Sequence, residues 1–336
     1  MKKIIPITAV ALAALSLTAC SQKNSDEAKK AFISNLTTLN SSDNNVQETT
    51  VTVDKFKASG TDSESANKMM QGSSMDMKIA RDTKNKTVDL NGKISVDNKA
   101  YSINLILGKD GIYLNSSDVK SLYNSLAAPN LSKSAGQYAS LYDSMINGLK
   151  TPYVSISQAM LDSSLSKNST QNWSSTIDEL MKTSTKSKSD IEKSYKDISD
   201  SNFTKKGDET TLSLTEKNVT MDELVKKFPS ITSQISEQQL KDFTKETKNV
   251  KFKTLTVDTT INGKTKQSNA TVSGVLVSTD KSSSNDSLDF KFSSQSKASK
   301  SSAAIVEPDT SKTTTIEELL QNMFSSYSTD ASTSTN

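Results

Sequence analysis

The feature that constrains this chain most is an apolar run, Ile4 to Leu17, that follows Lys2 and Lys3 and ends in Leu17-Thr18-Ala19-Cys20. A positive start, an apolar stretch too short for a stable span and a small-residue zone at Ser16 to Ala19 form the order of a secretory signal. Cys20 is the only cysteine among 336 residues. Residues 1–19 are therefore expected to be removed, leaving residues 20–27 as a polar tether.

Leu17-Thr18-Ala19-Cys20 resembles the lipobox of bacterial lipoproteins. That resemblance implies lipidation of Cys20, which becomes the mature N-terminus, and a location on the extracytoplasmic face of the cell membrane. An ordinary cleaved signal with an incidental cysteine is the weaker alternative. Each buried methylene contributes about 0.8 kcal/mol, so two or three acyl chains hold a domain on a bilayer where one does not.

Composition removes several function classes. Loss of residues 1–19 takes the charged side chains from 41 basic and 38 acidic to 39 and 38, a near-neutral chain whose single arginine is Arg81. Such a chain has no electrostatic footprint for nucleic acid. It contains no histidine. With Cys20 acylated, the usual zinc, copper and haem ligands, the histidine-assisted nucleophiles and disulfides all drop out. No acid spacing of the calcium-loop kind occurs, so neither metal nor cofactor is expected. No strained glycine elbow, phosphate loop or paired-acid motif stands out, so no catalytic residue is assigned and the chain reads as a non-enzyme. The abundance of Lys, Asn, Ser and Thr suggests a Gram-positive source.

Hydrophobic residues make up only 33% of the chain, yet they fall in periodic blocks, which argues for a folded but lean domain. Ala28, Ala31, Phe32, Leu36 and Leu39 predict an amphipathic helix over 26–40. Val46 to Lys57 reads as a strand and 58–73 as a loop. A meander follows. Met75, Met77 and Ile79 lead to a turn at Asp82 to Asn85, and Val88 and Leu90 lead to a hairpin signal at Asn91-Gly92. Ile94 and Val96 precede a turn at Asp97-Asn98-Lys99. Tyr101, Ile103, Leu105 and Leu107 share a strand face, and Gly108 to Gly111 turns into Ile112-Tyr113-Leu114. One apolar face of such a sheet must be covered.

Helical spacing marks Val119 to Leu126, then Tyr138, Leu141, Tyr142, Met145, Ile146 and Leu149, then Ile156 to Leu165. Thr176 and Glu179 form a capping-box pattern ahead of helical residues that extend to Ile198. Phe203 to Thr215 reads as a hairpin about Lys206-Gly207-Asp208. Thr220 to Glu223 caps another helix, and Ser236 to Glu246 a further one. Strands are expected at 250–261, 268–278 and 286–294, with Asn262-Gly263 between the first two. Ser293 to Ser302 reads as a low-complexity link, Ile305 to Pro308 as extended, and Thr315 to Glu318 as the cap of a last helix.

Residues 28–324 are thus expected to form an α+β domain, a curved antiparallel sheet covered by amphipathic helices with a helical insertion in the middle. A division into two similar halves near 163–172 stays open, and 325–336 is expected to be a disordered tail. The helix after the anchor, the meander ending in Lys109-Asp110-Gly111-Ile112-Tyr113-Leu114, and Ile305-Val306-Glu307-Pro308 before the capped helix together resemble the LolA/LppX-like group of lipoproteins. That resemblance implies a half-barrel whose concave face, lidded by helices, holds an acyl chain or another apolar ligand. Ile103, Leu105, Leu107, Tyr138, Leu141 and Tyr142 are then candidates to line a cavity, or they pack on one another as core. Two functions follow: an anchored carrier of a lipid or other apolar ligand, or a non-catalytic surface module that binds a protein or cell-wall component. The expected partners are the membrane, through the lipid anchor, an apolar ligand and a cell-envelope component.

Overall fold

A computed structural model of the chain describes residues 25–41, 43–60, 63–128, 138–165, 172–182, 187–228, 245, 247–280 and 286–321. Residues 1–24, with the signal and Cys20, most of 236–246 and the tail from 325 lie outside the described residues, and the last three tether positions, 25–27, open a helix rather than a polar tether. In chain order the helices are α1 (Ser25–Leu39), α2 (Ser63–Met70), α3 (Ser116–Leu122, continued by a π-turn over Tyr123–Ala127), α4 (Tyr138–Asn147), α5 (Gln158–Leu165), α6 (Trp173–Lys182), α7 (Lys188–Tyr195) and α8 (Met221–Lys227). The last, α9, begins at 316 and is described to 321.

The strands are β1 (Val46–Ser59), β2 (Ser74–Asp82), β3 (Thr87–Val96), β4 (Lys99–Gly108), β5 (Gly111–Asn115), β6 (Tyr153–Ser157), β7 (Phe203–Lys206), β8 (Glu209–Thr220), β9 (Val250–Asn262), β10 (Gln267–Ser278), β11 (Ser287–Ser299) and β12 (Thr313–Thr315). They form one sheet in the order β12-β6-β5-β4-β3-β2-β1-β11-β10-β9-β8-β7. Its pairs are antiparallel except β12 on β6, which is parallel. The chain is therefore α+β, with a large and mostly antiparallel sheet.

Contacts divide the chain into two compact units, each discontinuous in sequence. Unit 1 takes 1–76, 95–99 and 184–300, and unit 2 takes 77–94, 100–183 and 301–336. In unit 1 the strands alternate, with a change of phase at bulges in β1 and β9. Leu255, Val257 and Ile261 on β9, Ala270, Val272 and Leu276 on β10, and Leu288, Phe290 and Phe292 on β11 are all buried. Two closed apolar clusters result. One is packed by Ala66 and Met70 of α2 and by Met221 and Leu224 of α8. The other joins Phe32 and Ile33 of α1, Ile191 and Tyr195 of α7, and Phe203 of β7. The Phe32 ring meets Tyr195 at 5.5 Å and Phe203 at 5.4 Å, both edge to face, the arrangement that aromatic quadrupoles favour.

Two local devices recur. Strands run directly into helices at β5–α3, β6–α5, β8–α8 and β12–α9. The caps are side chains at the junctions: Asn115 accepts from the Ser117 N–H at 3.0 Å, Thr220 and Glu223 form a capping box, and Thr315 pairs reciprocally with Glu318. The β2–β3 and β9–β10 turns are built alike. Asp82 accepts from the N–H groups of Lys84 and Asn85, and Asn262 from those of Lys264 and Thr265. The turns then close through Lys86 at φ 53° and Lys266 at φ 54°. An acceptor side chain at the start of each turn satisfies two donors that the ladder leaves free.

Several expectations are corrected. Residues 58–73 contain α2, which amide side chains tie to β1 in addition to the apolar packing of Ala66 and Met70. Asn67 exchanges bonds with Ala58 N and O at 2.6 and 2.9 Å, and Gln71 reaches Phe56 N at 2.9 Å and Asp54 O at 3.1 Å. These side chains finish a stretch of β1 backbone as a neighbouring strand would. Replacing Asn67 with leucine therefore costs about 1–3 kcal/mol, read as a lower urea midpoint, because two backbone groups lose their partners.

Asn91-Gly92 is not a turn. Val88, Leu90, Gly92, Ile94 and Val96 keep one parity straight through β3, and the turn is at Asp97 and Asn98, with φ of 48° and 61°. Ile156 belongs to strand β6, not to a helix. Thr176 lies inside α6, and the residue that caps α6 is Asn172, which accepts from Ser175 N at 2.8 Å. The Ser/Lys stretch from 293 to 299 is no link: it completes β11 between β1 and β10, where backbone pairing on both sides sets the structure.

Candidate functional site

Unit 2 contains the meander in which the candidate residues lie. On β4, Tyr101, Ile103, Leu105 and Leu107 point to one face, as period-two alternation requires. The register puts Leu105 opposite Leu114 and Leu107 opposite Ile112, then Ile112 opposite Ile156 and Leu114 opposite Val154. A Cβ added to Gly92 of β3 would lie 3.9 Å from that of Ile103, so the apolar parity of β3 continues the same surface. The result is a contiguous apolar face on β3–β6.

Its burial sets it apart from unit 1. Ile103, Leu105, Leu107, Ile112, Leu114, Leu90 and Ile94 are all half-buried, whereas Val88 and Val154 are buried. The two closed clusters draw every member from unit 1. Similar amphipathic strands are thus sealed in one unit and left partly open in the other.

The opposite face of this sheet is crossed by a strap, residues 305–307. Ile305 donates its N–H to Asp82 at 3.1 Å and accepts from the Thr87 hydroxyl at 2.8 Å. The Glu307 carboxylate accepts from the Lys109 and Asp110 N–H groups at 3.0 and 3.3 Å and from the Tyr113 hydroxyl at 2.8 Å. Glu307 also sits where a Cβ on Gly108 would be, so only glycine allows this approach. Trp173, the sole tryptophan, is buried and donates its indole N–H to Gly108 O at 2.7 Å, beside Leu107.

The charges follow this packing. Desolvation works against the Asp82 carboxylate, but hydrogen bonds from Asn85, Ile305 and Lys84 outweigh it and hold the group below the usual aspartate range. Burial, then the Glu307 hydrogen bond and charge, push the Tyr113 phenol well above its ordinary value. Burial does the same to Tyr195. Both phenols keep their proton more firmly when folded. Their contribution is therefore complete below about pH 10, the unfolded value, and is lost as the pH rises further. The urea midpoint is expected to fall as the pH rises above about 10, and the double variant Tyr113→Phe, Tyr195→Phe should flatten that fall.

The structure thus brings Ile103, Leu105 and Leu107 together with Ile112, Leu114 and Ile156. Leu141 is half-buried and Tyr142 is exposed on α4, while the side chain of Tyr138 lies outside the described residues. The ties that hold α4 run to α3: Asn124 to Asn147 at 3.0 Å, and Lys120 to Leu149 O at 2.7 Å just beyond its end. Among the described residues no group of three or more His, Cys, Asp or Glu side chains could hold a metal ion, and no helix is long and apolar enough to cross a membrane. No family model matches the chain, and no curated protein or solved structure matches it.

Proposed function

We propose that this chain is a membrane-anchored extracytoplasmic lipoprotein that binds an acyl chain, or an apolar molecule of like chemistry, on the β3–β6 face of unit 2. The observation that carries this reading is that a contiguous apolar face in unit 2 stays only half-buried, whereas the apolar residues of unit 1 form two buried clusters. Each Å² of apolar surface left in water forgoes about 25 cal/mol, and an open contiguous patch is a sign of an interaction site. The face presents no catalytic constellation, so the reading is of a binding protein rather than an enzyme. The lipobox at Leu17 to Cys20 supports the anchor, and the half-barrel likeness to LolA/LppX-like lipoproteins belongs to the same proposal.

Two measurements test it. Metabolic labelling with a radioactive fatty acid should mark the wild-type chain and not Cys20→Ser; an unlabelled wild type removes the anchor. In the full chain carrying Cys20→Ser, bromine-bearing stearic acid should quench Trp173, which contacts the strand bearing Leu107. Absence of quenching, with circular dichroism showing a folded chain, removes the apolar ligand and favours a surface module for a protein or wall component.

A further inference from the structure

The apolar face has a gap in it. On β3, Leu90, Gly92 and Ile94 share the apolar parity, and Gly92 supplies no side chain between the other two. Glycine in a strand interior costs stability, because it surrenders the most backbone freedom on folding and packs nothing. Its usual reasons are a left-handed φ or a neighbour that leaves no room for a Cβ. Every other described glycine shows one of the two: a positive φ, as at Gly207, or an atom closer than 3.0 Å to the place of a Cβ, as at Gly108 and Gly274. Gly92 shows neither. Its φ is not positive. A Cβ there would meet Ile103 O at 3.4 Å, and Ile103 Cβ and Leu90 Cδ2 at 3.9 Å, which are ordinary contacts among the described residues. Position 92 thus has room for a side chain and goes without one inside the apolar face.

We infer that Gly92 is the floor of a notch that seats the hydrocarbon of the ligand against the sheet, and that the ligand is accordingly a flexible, unbranched acyl chain rather than a rigid fused-ring molecule. This inference rests on the apolar-face reading and specifies it. Neighbouring strands lie about 4.8 Å apart, so one absent side chain leaves a notch about as wide as one polymethylene chain. A chain laid there touches the β3 backbone and the flanks of Leu90 and Ile103 together. A fused ring system is too broad to enter. It would ride over the neighbouring side chains with the notch empty beneath it and forgo those contacts.

The experiment uses the full chain with Cys20→Ser and reads Trp173 quenching by dibromostearic acid beside urea titration. Gly92→Ala and Gly92→Val fill the notch by different amounts. Both should raise the urea midpoint or leave it unchanged, because either residue restricts the unfolded chain and valine suits a strand. Both should weaken the acid, Gly92→Ala by about threefold and Gly92→Val by about tenfold or more, as the loss of about one and then two methylene contacts requires. In the wild type, palmitic acid should displace the dibromostearic acid, and cholesteryl hemisuccinate at the same concentration should not. Stability kept or gained while binding is lost separates a seat from a packing position. Unchanged or tighter binding in folded Gly92→Val, displacement by the steroid as complete as by palmitic acid, or failure of both variants to fold overturns the notch and leaves the apolar face standing. If only Gly92→Val fails to fold, the affinity of Gly92→Ala decides in the same way. Absence of quenching in the wild type overturns both readings.

Discussion

Glutamate at position 105 should weaken acyl-chain capture by more than about tenfold while leaving the fold intact. Leu105 stands opposite Leu114 in the middle of the apolar face and is half-buried. Without a ligand, a carboxylate there still reaches water, so Leu105→Glu should cost at most about 1–2 kcal/mol of stability. With a ligand in place the same carboxylate must shed its water against hydrocarbon, which costs several kcal/mol. Val272→Glu is the informative control. Val272 is 1% exposed inside the larger closed cluster, and a charge there has no route to water. That variant should lose more than about 4 kcal/mol and fail to fold. Urea titration and Trp173 quenching read both effects. If Leu105→Glu unfolds as readily as Val272→Glu, position 105 is core.

The largest loss of stability expected from a single truncation is at Phe32. Its ring is 1% exposed and wedged between Tyr195 and Phe203, so one side chain joins α1, α7 and β7. Phe32→Ala removes the transfer energy of the ring and leaves a cavity that three elements would have to collapse to fill. The expected cost is about 3–5 kcal/mol. Domains of this kind have only about 5–15 kcal/mol in total, so the urea midpoint should fall steeply. The folded fraction should still bind dibromostearic acid, because Phe32 belongs to a cluster that shares no residue with the apolar face. A loss below about 1 kcal/mol would mean that α1 is not packed as described.

The elements legible from sequence were those whose pattern is local. The stripe of Ala28, Phe32 and Leu36 places α1 within a residue of its bounds, and Thr220 with Glu223 marks the start of α8, since a cap needs only residues three apart. The turn at Asn262 is legible for the same reason. Asn91-Gly92 misleads because its dipeptide chemistry suits a turn, while the unbroken parity from Val88 to Val96 argues for a continuous strand. In that conflict the ladder wins. The polar end of β11 and the helix α2 were not legible. Ser296 is ordered by pairing with Thr49, 247 residues away, and Asn67 by backbone on β1. Neither partner can be inferred from composition.

The candidate site divides in the same way. The shared face of Ile103, Leu105 and Leu107 follows from period two, but its continuation through Ile112 to Ile156 depends on register between strands. The strap across the other face depends on Glu307 meeting the turn at Lys109 and Asp110. Only the finished fold brings those residues together.

Native mass spectrometry of the full chain carrying Cys20→Ser, released gently from the cells that secrete it, tests the binding claim most directly. A folded species heavier than the polypeptide by the mass of a lipid, lost on organic extraction and restored by dibromostearic acid, is the predicted result. A folded chain at its bare polypeptide mass, with no uptake of the added acid, would contradict it.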